Sequence, residues 1–334
     1  MSDDPVRLAT RGSALALAQA RTVAQAIENG RHRVELVEVE TTGDELDDDL
    51  IHELGTTGAF VRSLDREVLD GAVDAAVHSM KDVPTDQPAE LVVAAIPARA
   101  PATDVLVTPD GGALDELEAG AIVGTASLRR RAQLLRRRDD LEVRPIRGNV
   151  DTRLAKLYAA ADPSAAPEAL ADRVDRVDPA EPYDALVLAA AGLERAGLAG
   201  TVPTVVLEGT VPAPGQGALA VSALDGEFAR WLNDRLDDPK SRVEVTVERR
   251  ILATLGGGCV APVGIHAIVQ GDHVQTRVQV LDRDGEEAVE ATRQLAVQSH
   301  LEEATAFAEA LLERGAGELI DRAARTEPGP GHRA

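Results

Sequence analysis

The sequence predicts an α/β protein: two doubly wound lobes followed by a small α+β domain with a three-stranded antiparallel sheet. Three observations carry this expectation. Short apolar runs alternate with helical periodicity from the N-terminus to about residue 82, and the same rhythm restarts near residue 104. After Gly264 the period changes to two, with Val274, Thr276, Val278 and Val280 on one face. A chain of 334 residues with 44% hydrophobic content also exceeds what one ordinary core uses.

The first lobe begins with a buried strand at Val6 to Thr10, then Arg11-Gly12-Ser13 and an alanine-rich helix to about Asn29. Ser13 is its expected N-cap, and Arg11 beside a helix N-terminus makes a natural anion site. Arg33 to Glu40 alternates apolar and polar residues and reads as the second strand. Thr41 to Gly58 is long, acidic and glycine-punctuated, and is expected to be a mobile lid. A helix over Phe60 to Leu69 leads to a strand, Asp74 to Met80, that runs into Lys81-Asp82-Val83-Pro84. Strand, helix, strand, helix, strand describes a parallel sheet, and ligands of such sheets sit beyond the carboxyl ends of strands. Ser79, Lys81 and Asp82 fall there.

In the second lobe, Asp104 to Thr108, Ala121 to Gly124, Glu142 to Ile146 and Tyr183 to Leu188 are expected strands. Helices open at Ser127 and Val150, and another runs through Arg195; Asp162 to Pro182 reads as an exposed insertion rich in Pro, Ala and Asp. Gly215-Gln216-Gly217 and the strand after it look like a return crossing to the first lobe. Helices at Glu227 to Leu236 and Arg242 to Leu255 follow, the second delivering a glycine-rich loop with Cys259. Asp284-Gly285 supplies a hairpin turn, and Leu301, Ala304, Ala308, Leu311 and Leu312 form one apolar helical face. The expected units are 1–101 with 218–237, 102–217, and 238–325, with a frayed tail at 326–334.

Composition narrows the function. The net charge is −22, and Lys81, Lys156 and Lys240 are the only lysines among 35 basic residues. General nucleic-acid binding needs a basic face and stacking platforms, and this chain is acidic with six aromatic residues. No apolar run is long enough to span a bilayer, and the acidic N-terminus lacks the pattern of a secretory signal. A cytoplasmic, monomeric protein is expected. The single cysteine excludes an internal disulfide, and the seven scattered histidines give no metal-ligand spacing, so no metal site is expected.

Three features carry chemistry. Cys259 is preceded by Gly256-Gly257-Gly258; a lone cysteine is ordinarily a buried core residue, but three glycines place it on a turn that something approaches closely. The sharper reading is a thiol that holds something covalently. Arg11, Arg129, Arg130, Arg147, Arg153 and Arg195 recur where strands meet helices. Any one arginine is ordinarily solvated surface. A cluster on one cleft edge of an acidic protein implies a ligand with several carboxylates or phosphates. No Walker-A or Gly-x-Gly-x-x-Gly loop is present, so carboxylates are favoured over nucleotides. Asp82, beside Lys81 at a strand's carboxyl end, is the acid/base or cation-stabilising candidate, although an isolated Asp is more often a turn former.

Six segments then resemble the hydroxymethylbilane synthase (porphobilinogen deaminase) family, in order and across essentially the whole chain. They are Ala9-Thr10-Arg11-Gly12-Ser13, Val77-His78-Ser79-Met80-Lys81-Asp82-Val83-Pro84, Val123-Gly124-Thr125-Ala126-Ser127-Leu128-Arg129-Arg130, Arg147-Gly148-Asn149-Val150-Asp151-Thr152-Arg153-Leu154, Pro214-Gly215-Gln216-Gly217-Ala218 and Gly257-Gly258-Cys259. The resemblance implies a three-domain transferase of tetrapyrrole biosynthesis whose first two domains resemble type II periplasmic binding proteins. It implies a dipyrromethane cofactor on Cys259 through a thioether, to which four porphobilinogen molecules are added with loss of ammonia before water releases linear hydroxymethylbilane. Asp82 would hydrogen-bond pyrrole N–H groups and stabilise the electron-poor azafulvene-like species. By matching positions, Lys81, Arg129, Arg130, Ser13, Ser127 and Arg147 would bind the cofactor. Arg11, Arg153, Arg195, Gln216 and Phe60 would meet the substrate.

One departure from the family stands in the lid. Where the family commonly has a lysine, this chain has Thr57-Gly58-Ala59-Phe60, so Arg62 compensates or lid contacts to carboxylates are weaker. Two other classes compete. A non-catalytic two-lobed carboxylate-binding protein explains the arginines but not Cys259 in its glycine loop. A thiol enzyme using Cys259 transiently lacks a histidine placed to activate it. The acidic, lysine-poor composition is that of a protein in a very salty cytoplasm, where salt screens self-repulsion. Its unfolding temperature and activity are therefore expected to rise from low salt to molar potassium chloride; a fold and activity indifferent to salt would remove that reading.

Overall fold

A computed structural model of the chain describes residues 4–29, 32–39, 59–178, 182–258 and 261–324. The expected lid (Thr41 to Gly58), Cys259 and the tail from Thr326 lie outside the described residues.

The first sheet joins β1 (Val6–Thr10), β2 (Val34–Glu38), β3 (Ala75–Ser79), β4 (Leu91–Ala95) and β10 (Leu219–Leu224) in the order β2-β1-β3-β10-β4. Strand β4 is an apolar run that the sequence reading leaves unassigned. Helix α1 (Ala14–Glu28) is capped by Ser13, whose Oγ accepts from Ala16 N–H at 3.2 Å. It buries Ala20, Val23, Ala24 and Ile27 against β1 and β3, together with α7 (Glu227–Leu236). Helix α2 (Ala59–Leu69) covers the other face through Leu64 and Val68. It is tied to β3 by a buried pair, His78 Nε2 to Asp65 Oδ1 at 2.9 Å.

The second sheet has the order β7-β6-β8-β5-β9, from β5 (Asp104–Val107), β6 (Ile122–Gly124), β7 (Glu142–Arg144), β8 (Ala185–Ala189) and β9 (Val205–Val206). Strand β7 stops before the expected Ile146 because Pro145 has no N–H to extend the ladder. Helices α3 (Leu128–Arg137), α4 (Val150–Ala161) and α6 (Ala190–Arg195) flank the sheet. The stretch from Asp162 to Pro182 corrects the expectation of an exposed insertion: it holds α5 (Glu168–Val174). Leu170 and Val174 sit four apart on one face of that helix and are buried in the core of the second lobe.

The three strands expected to run parallel, β1, β2 and β3, do so, and each large sheet also carries a reversed strand that the sequence reading did not foresee. Strand β10 runs antiparallel to β3 and β4, and β5 runs antiparallel to β8 and β9. A strand that enters a sheet from the other lobe arrives from the opposite direction. Each lobe thus receives one reversed strand, whose first residues stand at the carboxyl edge of its parallel neighbours.

The third sheet, β11 (Val263–Gln270), β12 (His273–Leu281) and β13 (Ala288–Ala296), is the expected antiparallel meander. Helices α8 (Pro239–Thr254), α9 (His300–Leu312) and α10 (Ala316–Ala324) close its core around Ile251, Ile265, Val278, Phe307 and Leu311. Helix α8 begins before the expected Arg242, with Pro239 in its first turn and Asp238 Oδ1 accepting from Ser241 N–H at 2.7 Å.

One carboxylate fastens this unit to the crossing between the lobes. Glu248 of α8 is fully buried and takes a two-pronged ion pair from Arg99 at 2.9 and 3.0 Å. It also accepts from Gly215 N–H at 2.7 Å and Ala267 N–H at 2.8 Å. Arg99 Nε donates to the Gln216 carbonyl at 2.9 Å. Removing one partner of such a pair strands a buried charge, at a cost of about 3–5 kcal/mol. Glu248→Ala is expected to lower unfolding free energy by about that amount in urea titrations. Glu287→Ala, which breaks a solvent-exposed pair with Arg322, is expected to leave the midpoint close to wild type.

Candidate active site

The parallel strands set where the site lies. Strands β1 and β3 pair in parallel, so the residues after both, Arg11 and the turn Met80–Asp82, share one sheet edge. In the second lobe β6 pairs in parallel with β7 and β8, bringing Ser127, Arg147 and α6 to one edge. The reversed strands add what the parallel ones cannot. Asp104, the first residue of β5, stands opposite Ala189, the last of β8. Leu219, the first of β10, stands opposite Ser79, so Gly215-Gln216-Gly217 lies against the Lys81 turn.

Gly217 shows how tight that crossing is. Its φ is +85°, and a Cβ there would run into the Ala100 carbonyl oxygen, so only glycine lets the two crossing segments touch.

Asp104 is the hub, and the sequence reading missed it. Only 2% of its surface is exposed. Arg129 Nη1 reaches its Oδ2 at 2.7 Å; Arg130 reaches Oδ1 through Nη2 at 2.7 Å and Nε at 3.0 Å; Gln216 Nε2 reaches Oδ1 at 2.9 Å. Burial pushes the Asp104 carboxyl up, but Arg129, Arg130 and their hydrogen bonds, with that of Gln216, outweigh it and hold it well below the usual carboxylate range. Each arginine also donates to a backbone carbonyl, Arg129 Nη1 to Val211 at 2.8 Å and Arg130 Nη1 to Val187 at 3.0 Å. Arg129 Nε and Gln216 Oε1 stay buried without a hydrogen bond. A charged residue opening the otherwise apolar run Asp104-Val105-Leu106-Val107 was the available signal, since a buried carboxylate needs cationic partners.

Lys81 stands across from this group. Its side chain is solvent-exposed, with protein packed around it. That crowding lowers its pKa from the ordinary lysine value; Asp82 and Asp104 oppose the shift, and Arg130 and Arg129 reinforce it. Asp82 is half-buried and makes no hydrogen bond or ion pair among the described residues. Arg153, in the first turn of α4, donates Nε to the Gly148 carbonyl at 2.7 Å; burial and then Arg130 disfavour its charge.

The other expected residues are placed as follows. Ser13 and Ser127 cap α1 and α3, Ser127 Oγ accepting from Arg130 N–H at 3.4 Å. Arg11 and Arg147 are half-buried at their strand ends and hold further contacts. Arg195 Nη2 donates to the Gly217 carbonyl at 2.5 Å, which ties it to the crossing. Phe60 is the second residue of α2, its side chain lying outside the described part, and Arg62 is exposed on that helix. Ser79, expected at this edge, meets a residue that sequence reasoning passed over: Gln19 Nε2 donates to Ser79 Oγ at 2.8 Å.

The loop toward Cys259 leaves α8 by a defined route. Gly256 has φ +70°, its N–H bonds the Ala253 carbonyl at 3.2 Å, and Gly257 N–H bonds the Leu252 carbonyl at 3.3 Å. This is the paired cap that ends a helix on a left-handed glycine and turns the chain away. Cys259 follows, outside the described residues.

Chemically, the edge gathers Lys81, Arg129, Arg130 and Arg153 against Asp82 and Asp104, a cationic surplus in a chain of net charge −22. Among the described residues, no group of three or more His, Cys, Asp or Glu is arranged to hold a metal ion, and no helix is long and apolar enough to cross a membrane.

Comparison with known proteins follows the same segments. Residues 6–229 match the family model described as the porphobilinogen deaminase dipyromethane cofactor binding domain, and residues 242–314 match the porphobilinogen deaminase C-terminal domain. A probable porphobilinogen deaminase of Halobacterium salinarum is 46% identical, over 98% of this chain and 100% of its own. One of Methanococcoides burtonii is 39% identical over 95% and 96%, and the porphobilinogen deaminase of Acidothermus cellulolyticus 45% identical over 84% and 80%. Among solved structures, the methionine binding protein MetQ is 12% identical with a TM-score of 0.40, over 72% of this chain and 93% of its own. That likeness is too loose to argue from, and the architecture rests on the sheets themselves. The matched segments and the two domains in order identify this chain as a member of the porphobilinogen deaminase family.

Proposed function

We propose that this chain condenses four porphobilinogen molecules, with loss of ammonia, on a dipyrromethane cofactor held by Cys259, and releases linear hydroxymethylbilane. The observation that carries the proposal is the cationic surplus beside Asp82 at the shared sheet edge of an acidic protein. The residues fit the cofactor: its pyrroles bear acetate and propionate groups, and the edge offers Lys81, Arg129, Arg130 and Arg153 with a buried, unbonded Arg129 Nε. Ser13, Ser127 and Arg147 join them in holding it. When bound, the cofactor supplies a nucleophilic pyrrole carbon at which the chain grows.

The protein's part is electrostatic. Asp104 fixes Arg129 and Arg130 in place before any ligand arrives, so little reorganisation is left for the moment of reaction. Asp82, with no other partner among the described residues, accepts pyrrole N–H groups and stabilises the cationic carbon left when ammonia departs. Arg11, Arg153 and Arg195 meet carboxylates of the incoming substrate, with Gln216 and Phe60 near the reacting ring. Crowding by protein lowers the proton affinity of Lys81, and a carboxylate bound beside it raises that affinity again. The working units of this reading are 1–101 with 218–237, 102–217 and 238–325, in a monomer working in the cytoplasm.

Intact mass measurement tests the proposal. The purified protein is expected to exceed its sequence mass by two linked pyrroles, and Cys259→Ser to lose that excess; an unmodified, turnover-free wild type would leave a carboxylate-binding protein instead. Asp82→Ala is expected to keep the added mass while turnover falls by about a hundredfold or more. Full activity in that variant would remove the role given to Asp82.

A further inference from the structure

A hairpin tip is ordinarily solvated, and the turn between β11 and β12 follows that rule. Gly271 there is exposed, with φ +64° and no atom of the described residues within 4 Å of where a Cβ would stand. The turn between β12 and β13 does not follow it. Gly285 has φ +75° yet is buried, between the exposed Asp284 and Glu286. What covers it is α3, the helix whose first turn carries Arg129 and Arg130. A Cβ on Gly285 would run into the Ala132 carbonyl oxygen and lie 2.9 Å from the Arg136 nitrogen. Those atoms belong to residues one helical turn apart, so the tip rests on helix backbone, which cannot swing aside as a side chain could.

Side chains fasten the contact. Arg131 Nη2 donates to Asp284 Oδ1 at 3.0 Å, and Arg136 Nη1 to the Gly285 carbonyl at 3.1 Å. Arg136 Nε also pairs with Glu290 of β13 at 3.2 Å, and Gln279 of β12 holds that carboxylate at 3.0 Å. The same unit reaches a second stripe of α3 through Val211. Gln133 brackets the Val211 backbone, Nε2 donating to its carbonyl at 2.9 Å and Oε1 accepting from its N–H at 3.1 Å. Arg129 donates to that carbonyl as well, and a Cβ on Gly264 of β11 would lie 2.5 Å from it. The third unit therefore meets α3 twice, directly at Gly285 and by way of Val211 at Gly264. Strand β11 starts four residues after Cys259.

On the porphobilinogen reading, we propose that Gly285 is a positioning residue. Its hairpin tip seats α3, so that Arg129 and Arg130 meet the carboxylates of a cofactor whose sulfur anchor leaves the same unit. Asp104 sets where the two guanidinium groups point; the tip sets where the helix that bears them stands. A side chain at 285 would lift the tip off the helix or push the helix toward the cleft.

Amide hydrogen exchange on the full-length holoprotein reads the seating, and steady-state kinetics read its consequence. In Gly285→Ala, exchange over residues 128–137 is expected to rise about tenfold. Its kcat is expected to fall about tenfold, with KM for porphobilinogen within about twofold of wild type. The split follows because Arg11, Arg153 and Arg195, which meet the incoming substrate, lie off α3. Gly271→Ala imposes the same left-handed strain at a turn with open space around it. It is expected to lower the unfolding midpoint as much while leaving exchange over 128–137 and kcat at wild type. Arg136→Met releases the tip without altering its backbone, is expected to move both readouts in the same direction, and carries the test if Gly285→Ala does not fold. Unchanged exchange over 128–137, or an unchanged kcat, in these two variants overturns the proposal. So does a Gly271→Ala that matches Gly285→Ala. A wild type without added mass or turnover would end the porphobilinogen reading by itself, and exchange over 128–137 decides the seating of α3 in either case.

Discussion

A carboxylate held at 2% exposure stays charged only if cations meet it, and Asp104 meets two. Each would be costly to bury alone; together, with Gln216 adding a hydrogen bond to Asp104, they form a charge-compensated polar core. What this network organises is direction. Arg129 and Arg130 are consecutive on a helix, where neighbouring side chains diverge by roughly 100°. One acceptor with two oxygens draws both guanidinium groups to the same edge. The positive field of the cleft is thus a consequence of a buried negative charge.

Asp104 is there because β5 runs against its sheet. A residue that opens a parallel strand lies at the opposite edge from the ligand site. Reversing the strand moves it to the ligand edge, and the same reversal in β10 brings Gly215-Gln216-Gly217 to the Lys81 turn. The two crossings between lobes are therefore part of the site's floor as well as connections. Glu248 then fixes the third unit to this floor, since its carboxylate is shared among Arg99, Gly215 and Ala267. The loop that delivers Cys259 leaves the same helix two turns later, so its origin is set relative to the crossing rather than to either lobe alone.

Self-repulsion and ligand attraction pull the charge distribution in opposite ways. A net charge of −22 on the whole chain repels a polycarboxylate ligand at long range. The cationic edge reverses that locally, within a cleft whose walls limit screening. The predominance of arginine over lysine serves this geometry, because a planar fork can hold a carboxylate and a backbone carbonyl at once, as Arg129 and Arg130 do.

By itself the sequence determined most of the element order, with β4, α5, β9 and α10 passed over, the change of period after Gly264, the caps at Ser13 and Ser127, and the segments that mark the family. These are local properties, set by periodicity, turn chemistry and side-chain type within a few residues. Tertiary structure alone decided that each large sheet carries a reversed strand, that Leu170 and Val174 draw a presumed insertion into the core, and that Arg129 and Arg130 face inward to Asp104. Arg99 and Glu248 are 149 residues apart, and nothing near either names the other. The physical reason is that strand direction and long-range ion pairs depend on which distant segments close upon each other. Periodicity reports which face of an element is buried, and is silent on what buries it.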